Sequence, residues 1–368
     1  MLDSTMPETD FWARLASALP CIRSQAAARD QGAQYPDDEL RSLVAAGLFA
    51  ATLPISYGGL GFGMPGQSAE MARLFYQLGH ASLPVARLYE AHVNALHLIF
   101  QYGSPAQQQR TAEDTLAGEV FALWVTDPPK GEALRLEDDH LQGAKAFCSG
   151  AGRATRALLT AETPEGIRML VVPTNAARHI PSGLALSGMR AAITGEMAFS
   201  GIPAGPETWL GAPGDYLKEP VFSGGAWRGS AAALGGLGAL LGLVRDELRG
   251  RGRDAAPQQR ARFGQIAMAH EAARLWVAQA GEKACGLREP SADIVAYVNL
   301  ARIAVEQLCM DALQATQRAL GLSAFMAGAE AERIGRDLAA YLRQPAIDEV
   351  LDIAAAHYFA TPLPGEFT

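Results

Sequence analysis

Val120-Phe121-Ala122-Leu123-Trp124-Val125-Thr126-Asp127-Pro128-Pro129 is where the chain changes texture. Aliphatic, aromatic and β-branched residues run into Asp-Pro-Pro, which cannot continue a paired strand. Four more runs of this kind follow at close spacing: His140 to Cys148, Ala157 to Thr160, Met169 to Pro173 and Glu196 to Ser200. Pro, Gly, Asp and Thr clusters separate them. The pattern predicts antiparallel strands in a small barrel or sandwich over residues 119–212.

On either side the period is helical. Asp37-Asp38-Glu39 opens a segment with Leu40, Leu43, Val44 and Leu48 at helical spacing, and acidic residues favour a helix N-terminus. Gly58-Gly59 ends that unit in a turn. The apolar run Val85 to Tyr102 stops at Gly103, and Ser104-Pro105 supplies an N-cap and first-turn proline for the next helix. Beyond 212, Arg260 to Cys285 and Ser291 to Leu320 are long and rich in Ala and Leu, which suits a bundle. The expected class is α+β, in three domains. These are an N-terminal helical domain (1–118), a central antiparallel β-barrel domain (119–212) and a C-terminal four-helix-bundle-like domain (213–368).

Composition narrows the function. The 368 residues are 49% hydrophobic and 19% charged, enough apolar content for a packed core. A net charge of -8 argues against general nucleic-acid binding, which needs a basic surface. Cys21, Cys148, Cys285 and Cys309 share no metal or redox spacing, so free thiols in a reduced, cytoplasmic protein are expected. The N-terminal stretch lacks the pattern of a signal peptide. The most apolar stretch, Ala231 to Val244, is short and Gly/Ala-rich, as in a buried helix rather than a membrane span. No histidines cluster at ligand spacing, so no metal is expected, and His357 reads as packing. There is no nucleophile elbow and no GxGxxG after a strand.

Five segments together resemble the acyl-CoA dehydrogenase family of flavoproteins, over about residues 35–343. They are Gly47-Leu48 to Tyr57-Gly58-Gly59-Leu60-Gly61; Trp124-Val125-Thr126-Asp127-Pro128-Pro129-Lys130-Gly131; Gly143 to Gly152; Gly188-Met189-Arg190 with Glu196 to Phe199 and Trp209-Leu210-Gly211; and the C-terminal set Arg260/Phe263/Gly264, Gln317 to Gly321 and Arg333 to Asp337. The first and fourth are fold markers. The resemblance implies FAD as cofactor. Trp124, Val125 and Thr126 would meet the flavin's pyrimidine edge, Phe147 would pack on the ring, and Ser149 would lie near its reactive nitrogen. Arg260 and Phe263 would reach the pyrophosphate and adenine region in a neighbouring subunit, with Gln317 and Gly321 on the same dinucleotide; arginine suits bidentate phosphate binding. A homodimer or homotetramer follows. The family's Ser-Asp after Gly131 is Glu132-Ala133 here, and its second glycine after Gln317 is Leu322.

The family's catalytic glutamate is absent. It takes the α-proton of an acyl thioester while flavin takes hydride from the β-carbon. The resemblance puts it at position 345, which is Pro345, or at 228, which is Arg228. A shift of register brings Asp348 or Glu349 into play, and no carboxylate lies near 228 in the sequence. Arg228 reads either as a site for an anionic substrate group or as one half of a buried ion pair. The leading expectation is an FAD-dependent oxidoreductase acting on a CH–CH bond of an acyl thioester or similar acyl compound, as in fatty acid metabolism. The alternatives are a flavin monooxygenase or oxidase on the same fold, and a non-catalytic scaffold.

Overall fold

A computed structural model describes residues 7–180 and 185–364; Met1 to Met6, the start of the N-terminal stretch read above, lie outside them. Five helices come first: α1 (Glu8–Gly32), α2 (Asp37–Ala45), α3 (Ser68–Ala81), α4 (Leu83–Tyr102) and α5 (Pro105–Leu116). Acidic residues fill the first turn of α2, where the helix dipole favours them. Ser104 and Gln107 form a reciprocal capping box on α5, with Pro105 in its first turn.

The β region holds β1 (Phe121–Trp124), β2 (Arg135–Glu137), β3 (His140–Gln142), β4 (Ala144–Cys148), β5 (Arg156–Thr163), β6 (Gly166–Pro173), β7 (Arg178–Ile180), β8 (Gly195–Ala198) and β9 (Trp209–Leu210). The strand pairings do not show a closed barrel. Among the described residues the strands form two sheets. One runs β3-β2-β5-β6-β9 with β1 also on β5, and the other runs β4-β8-β7. Nor is the region purely antiparallel: β1 pairs with β5 in parallel, Phe121 opposite Arg156 and Trp124 opposite Leu159. The expected single strand His140 to Cys148 breaks at Gly143. Its φ is +107°, and a methyl there would sit 2.5 Å from the Ala133 carbonyl oxygen. That break sends β4 into the second sheet.

The C-terminal region comprises α6 (Val221–Gly224), α7 (Ala226–Gly250), α8 (Pro257–Gly286), α9 (Ser291–Leu320), α10 (Glu330–Tyr341) and α11 (Ile347–Ala360). Helices α7, α8 and α9 pack on one another, and α3 packs against α7, so one core runs through both helical regions. Val221–Gly250 is apolar and long enough to cross a membrane, but 78% of its most apolar window is buried in the protein.

Two glycines set the α3–α7 crossing. A methyl on Gly79 would lie 2.1 Å from the Ala232 carbonyl oxygen, and one on Gly235 would lie 2.2 Å from that of Tyr76. The backbones therefore touch with nothing between them. Further along, Asp337 of α10 accepts from the Met189 amide at 2.6 Å, while Arg336 pairs with Asp30 of α1 at 2.8 Å. These contacts tie the two sequence markers around 188 and 336 together as fold elements. Burial pushes the Asp337 carboxyl up to about 6.

Candidate active site

The site is built around a cavity of about 270 Å³ between α4, α7 and the end of α10. Helix α4 supplies Arg87, Glu90, Asn94 and His97 to its wall. Their spacing of three, four and three residues puts them on one face of a largely apolar helix. Helix α7 adds Arg228 and Gly229, and Tyr341 and Pro345 close the far side.

Glu90 is the carboxylate that the sequence reading missed. It is 7% exposed. Its Oε2 accepts from the Tyr341 hydroxyl at 2.7 Å and from Arg87 Nη1 at 3.0 Å. Its Oε1 faces α7, where a methyl on Gly229 would meet it at 3.2 Å. Burial, with Glu90 alongside, raises the Tyr341 pKa well above the ordinary phenol value, so this hydroxyl keeps its proton and remains a donor. No carboxylate lies near position 228 in the sequence, yet in space Glu90 faces the neighbouring Gly229. The carboxylate comes from α4, far away in sequence.

Arg228 is 7% exposed. Its Nε donates to Asn94 Oδ1 at 2.6 Å, and among the described residues no carboxylate lies within ion-pair distance of it. It is thus not half of a buried salt bridge. Burial lowers its pKa. Crowding in the cavity, reinforced by the Arg228 charge, lowers the His97 pKa and favours the neutral imidazole. Arg302 of α9 also lines the cavity. It donates to the Pro345 carbonyl at 2.5 Å, and its buried Nε has no partner. Asp348 and Glu349 lie exposed in the first turn of α11, outside the cavity.

The β side of the site is held from beneath. Lys145 is 1% exposed. Its ammonium donates to the Val125 carbonyl at 3.2 Å, to Asp127 at 2.5 Å and to Thr160 at 3.1 Å. The Trp124 indole donates to the Ser149 carbonyl at 2.9 Å, and the Ala146 amide to the Thr126 carbonyl at 2.8 Å. These bonds bring Trp124, Val125, Thr126, Phe147 and Ser149 together as the sequence grouped them. Phe147 lies within a bulge between Lys145 and Cys148, at φ +52°, with 46% of its surface exposed. A bulky residue in the left-handed region is a backbone outlier. Here it turns an aromatic ring outward beside the exposed Thr126, which fits the face of an isoalloxazine. Ser149 is buried, and its hydroxyl accepts from Arg87 Nε at 3.4 Å. A polar chain thus runs Ser149–Arg87–Glu90–Tyr341 from the β side into the cavity.

Arg260, Phe263, Gln317 and Gly321 are elsewhere. Arg260 and Phe263 line a separate pocket with Arg245, Arg249 and Gln259 at the start of α8. Arg260 is exposed, its Nε donating to the Asp254 carbonyl at 2.9 Å. Gln317 lies in the last turn of α9, and Gly321 caps that helix at φ +64°. Within one chain this pocket shares no lining residue with the α4–α7 cavity. His357 pairs with Asp293 at 2.7 Å, away from both. Among the described residues no group of His, Cys, Asp or Glu is arranged to hold a metal.

A helical region, a two-sheet β region and a helical bundle thus surround the cavity that Glu90 and Arg228 line. Residues 20–119 match the family model for the N-terminal domain of acyl-CoA dehydrogenases. Butyryl-CoA dehydrogenase from Megasphaera elsdenii superposes with a TM-score of 0.85 at 19% identity, over 97% of this chain and 100% of that one. The structure of KijD3, solved with FMN and a dTDP-linked sugar, also gives 0.85, at 20% identity and over 97% of each chain. A 3-sulfinopropanoyl-CoA desulfinase from Paraburkholderia xenovorans is 31% identical over 145 residues, 37% of this chain and 36% of that protein's length. Residues 20–119 thus match an acyl-CoA dehydrogenase N-terminal domain, and the chain as a whole has the fold of butyryl-CoA dehydrogenase.

Proposed function

We propose that this protein is an FAD-dependent oxidoreductase acting at a carbon–carbon bond of an acyl compound, such as a thioester, that carries a second, anionic group. The observation that carries the reading is Arg228, a buried guanidinium with a neutral partner and no carboxylate. Burying such a charge uncompensated is expensive, and an anionic substrate group completes it. The similar desulfinase acts, by its name, on an acyl thioester bearing a sulfinate. The flavin, when bound, supplies hydride acceptance.

The chain's own residues do the rest. Phe147 offers its ring to the cofactor, with Thr126 at the pyrimidine edge and the Ser149 hydroxyl beside it. Arg260, Phe263, Gln317 and Gly321 take the dinucleotide end of a second copy's cofactor, which makes the working unit a homodimer or a dimer of dimers. Glu90 accepts the substrate proton through its free Oε1, while Tyr341 and Arg87 hold Oε2 in place. Proton transfer by a positioned group contributes about 10²- to 10⁴-fold.

The test is anaerobic bleaching of the flavin-loaded protein by acyl thioesters with and without a terminal carboxylate or sulfinate. Glu90→Gln is expected to slow bleaching on the order of 10³-fold while leaving the flavin spectrum intact. Full-rate bleaching by this variant removes Glu90 from the role. Arg228→Gln is expected to raise KM for the anionic substrate roughly 10- to 100-fold, the worth of a hydrogen bond to a charged group. An unchanged KM removes the anion reading. The replacement of both usual base positions by Arg228 and Pro345 favours a second reading, a flavin monooxygenase or oxidase. Rapid oxidation of the reduced flavin by O₂, with oxygen entering the product, would put that reading first. A protein that takes up no flavin would be a scaffold.

A further inference from the structure

Two uncharged neighbours park the Arg228 guanidinium. Asn94 holds its Nε at 2.6 Å. Gly225, just before α7, leaves the room: a methyl there would lie 2.6 Å from Arg228 Nη2. Among the described residues Nη1 and Nη2 make no hydrogen bond and are not sealed from the cavity, and the same holds for Glu90 Oε1. These atoms are therefore free to meet a ligand. Glu90 pairs with Arg87 and not with Arg228. Asn94 follows Glu90 by one helical turn on α4, so the guanidinium it holds sits about 6 Å along from the carboxylate. On the facing wall, Glu90 Oε1 looks onto Gly229, the residue next to Arg228.

We propose that this gap is a ruler: the site selects a short, unbranched acyl chain whose anionic group lies two or three carbons beyond the carbon that gives up its proton. The inference rests on the proposed function, which gives the proton to Glu90 and the anion to Arg228. A proton acceptor works within about 3 Å of its target. A charge-assisted hydrogen bond to the anion has a similar length. Equal contacts at both ends leave the substrate to span the same gap of about 6 Å. Carbon–carbon bonds of about 1.5 Å in a zigzag cover it with four or five bonds between the α-carbon and the anionic oxygen. That is the reach of a five- or six-carbon diacid chain. A shorter chain cannot touch both groups, and a longer one must buckle inside a cavity of about 270 Å³. Gly225 sets the mark on the ruler, because a side chain there displaces the guanidinium, and Asn94 keeps it at that mark.

The experiment measures anaerobic bleaching of the flavin-loaded, full-length protein by monothioesters of unbranched diacids, from four to ten carbons, against monocarboxylic thioesters of the same lengths. Among the diacids kcat/KM is expected to peak at five or six carbons, about tenfold or more above the eight- and ten-carbon members, the worth of a hydrogen bond to a charged group. The monocarboxylic chains should show no such peak. Gly225 has φ −68° and ψ −20°, which suit alanine, so Gly225→Ala moves the guanidinium without straining the backbone. It should remove the diacid peak. Should that variant fail to fold, Asn94→Ala releases the guanidinium from its other tether and should remove the peak as well. A diacid profile that is flat in the parent protein, or peaks at another length, overturns the ruler while the proposed function stands. A peak kept in a folded variant overturns the role of the residue replaced. Diacids that bleach no faster than monocarboxylic chains at every length overturn the anion reading of the proposed function, and the ruler with it, as does a flavin that no thioester bleaches.

Discussion

The two halves of the expected cofactor site are built in opposite ways. Around Phe147 every supporting group is buried and bonded: Lys145 beneath the 125–127 segment, Trp124 on the Ser149 carbonyl, and Ser149 on Arg87. Around Arg260 the arginines at 245, 249 and 260 are exposed, and Arg260 itself is held by one carbonyl contact. A half-site fixed by the chain itself keeps its geometry with or without ligand. A half-site left open takes its final geometry from what docks on it. Under the proposed function, one chain would carry a finished ring-binding surface and an unfinished phosphate-binding one.

Variants sharpen that contrast. Arg260→Ala is expected to weaken FAD on the order of tenfold or more while leaving FMN, which lacks the adenylate end, nearly unchanged. Equal losses for the two flavins in a titration would show that Arg260 does not serve the dinucleotide end. Phe147→Ala should weaken both flavins together by about three- to tenfold, the worth of one aromatic contact. A loss confined to FAD would reverse the assignment of the two halves. The smallest effect concerns the scaffold common to both. The Asp337 carboxyl is raised to about 6 in the folded protein, so the native state holds its proton more tightly than the unfolded chain. Its contribution therefore turns against folding as pH rises from about 4 to about 6, and is constant above that. Asp337→Asn keeps an acceptor for the Met189 amide without the charge. Urea unfolding of the variant should gain on the parent across that window, and parallel curves would show that Asp337 ionises freely.

The helices were legible because their signals are local. Ser104-Pro105 with Gln107 caps α5, and Asp37-Asp38-Glu39 opens α2, whatever packs around them. The β region was legible as strands but not as sheets, because which strand pairs with β5 is decided at long range. The break at Gly143 depends on a carbonyl ten residues earlier in the chain. The grouping of Trp124 to Thr126 with Phe147 and Ser149 came from family resemblance, and hydrogen bonds in the structure bring those residues together. Glu90 was not legible because the family pattern points to positions 228 and 345–349 for a carboxylate, far from α4 in the sequence. A signal was present: Arg87, Glu90, Asn94 and His97 form a polar stripe at helical spacing through the apolar run Val85 to Tyr102. On a helix buried nearly all round, such a stripe needs polar company, and the cavity provides it.

The Gly79–Gly235 crossing has a bearing on how such a chain changes its chemistry. Arg228 lies seven residues before Gly235 on α7, about two turns away along the same face. The contact of bare backbones fixes where that helix passes, so position 228 points at the same spot whichever side chain it carries. Proton acceptor, anion receptor or neutral filler can be exchanged there as on a mounted tool post, and the frame registers none of the substitutions.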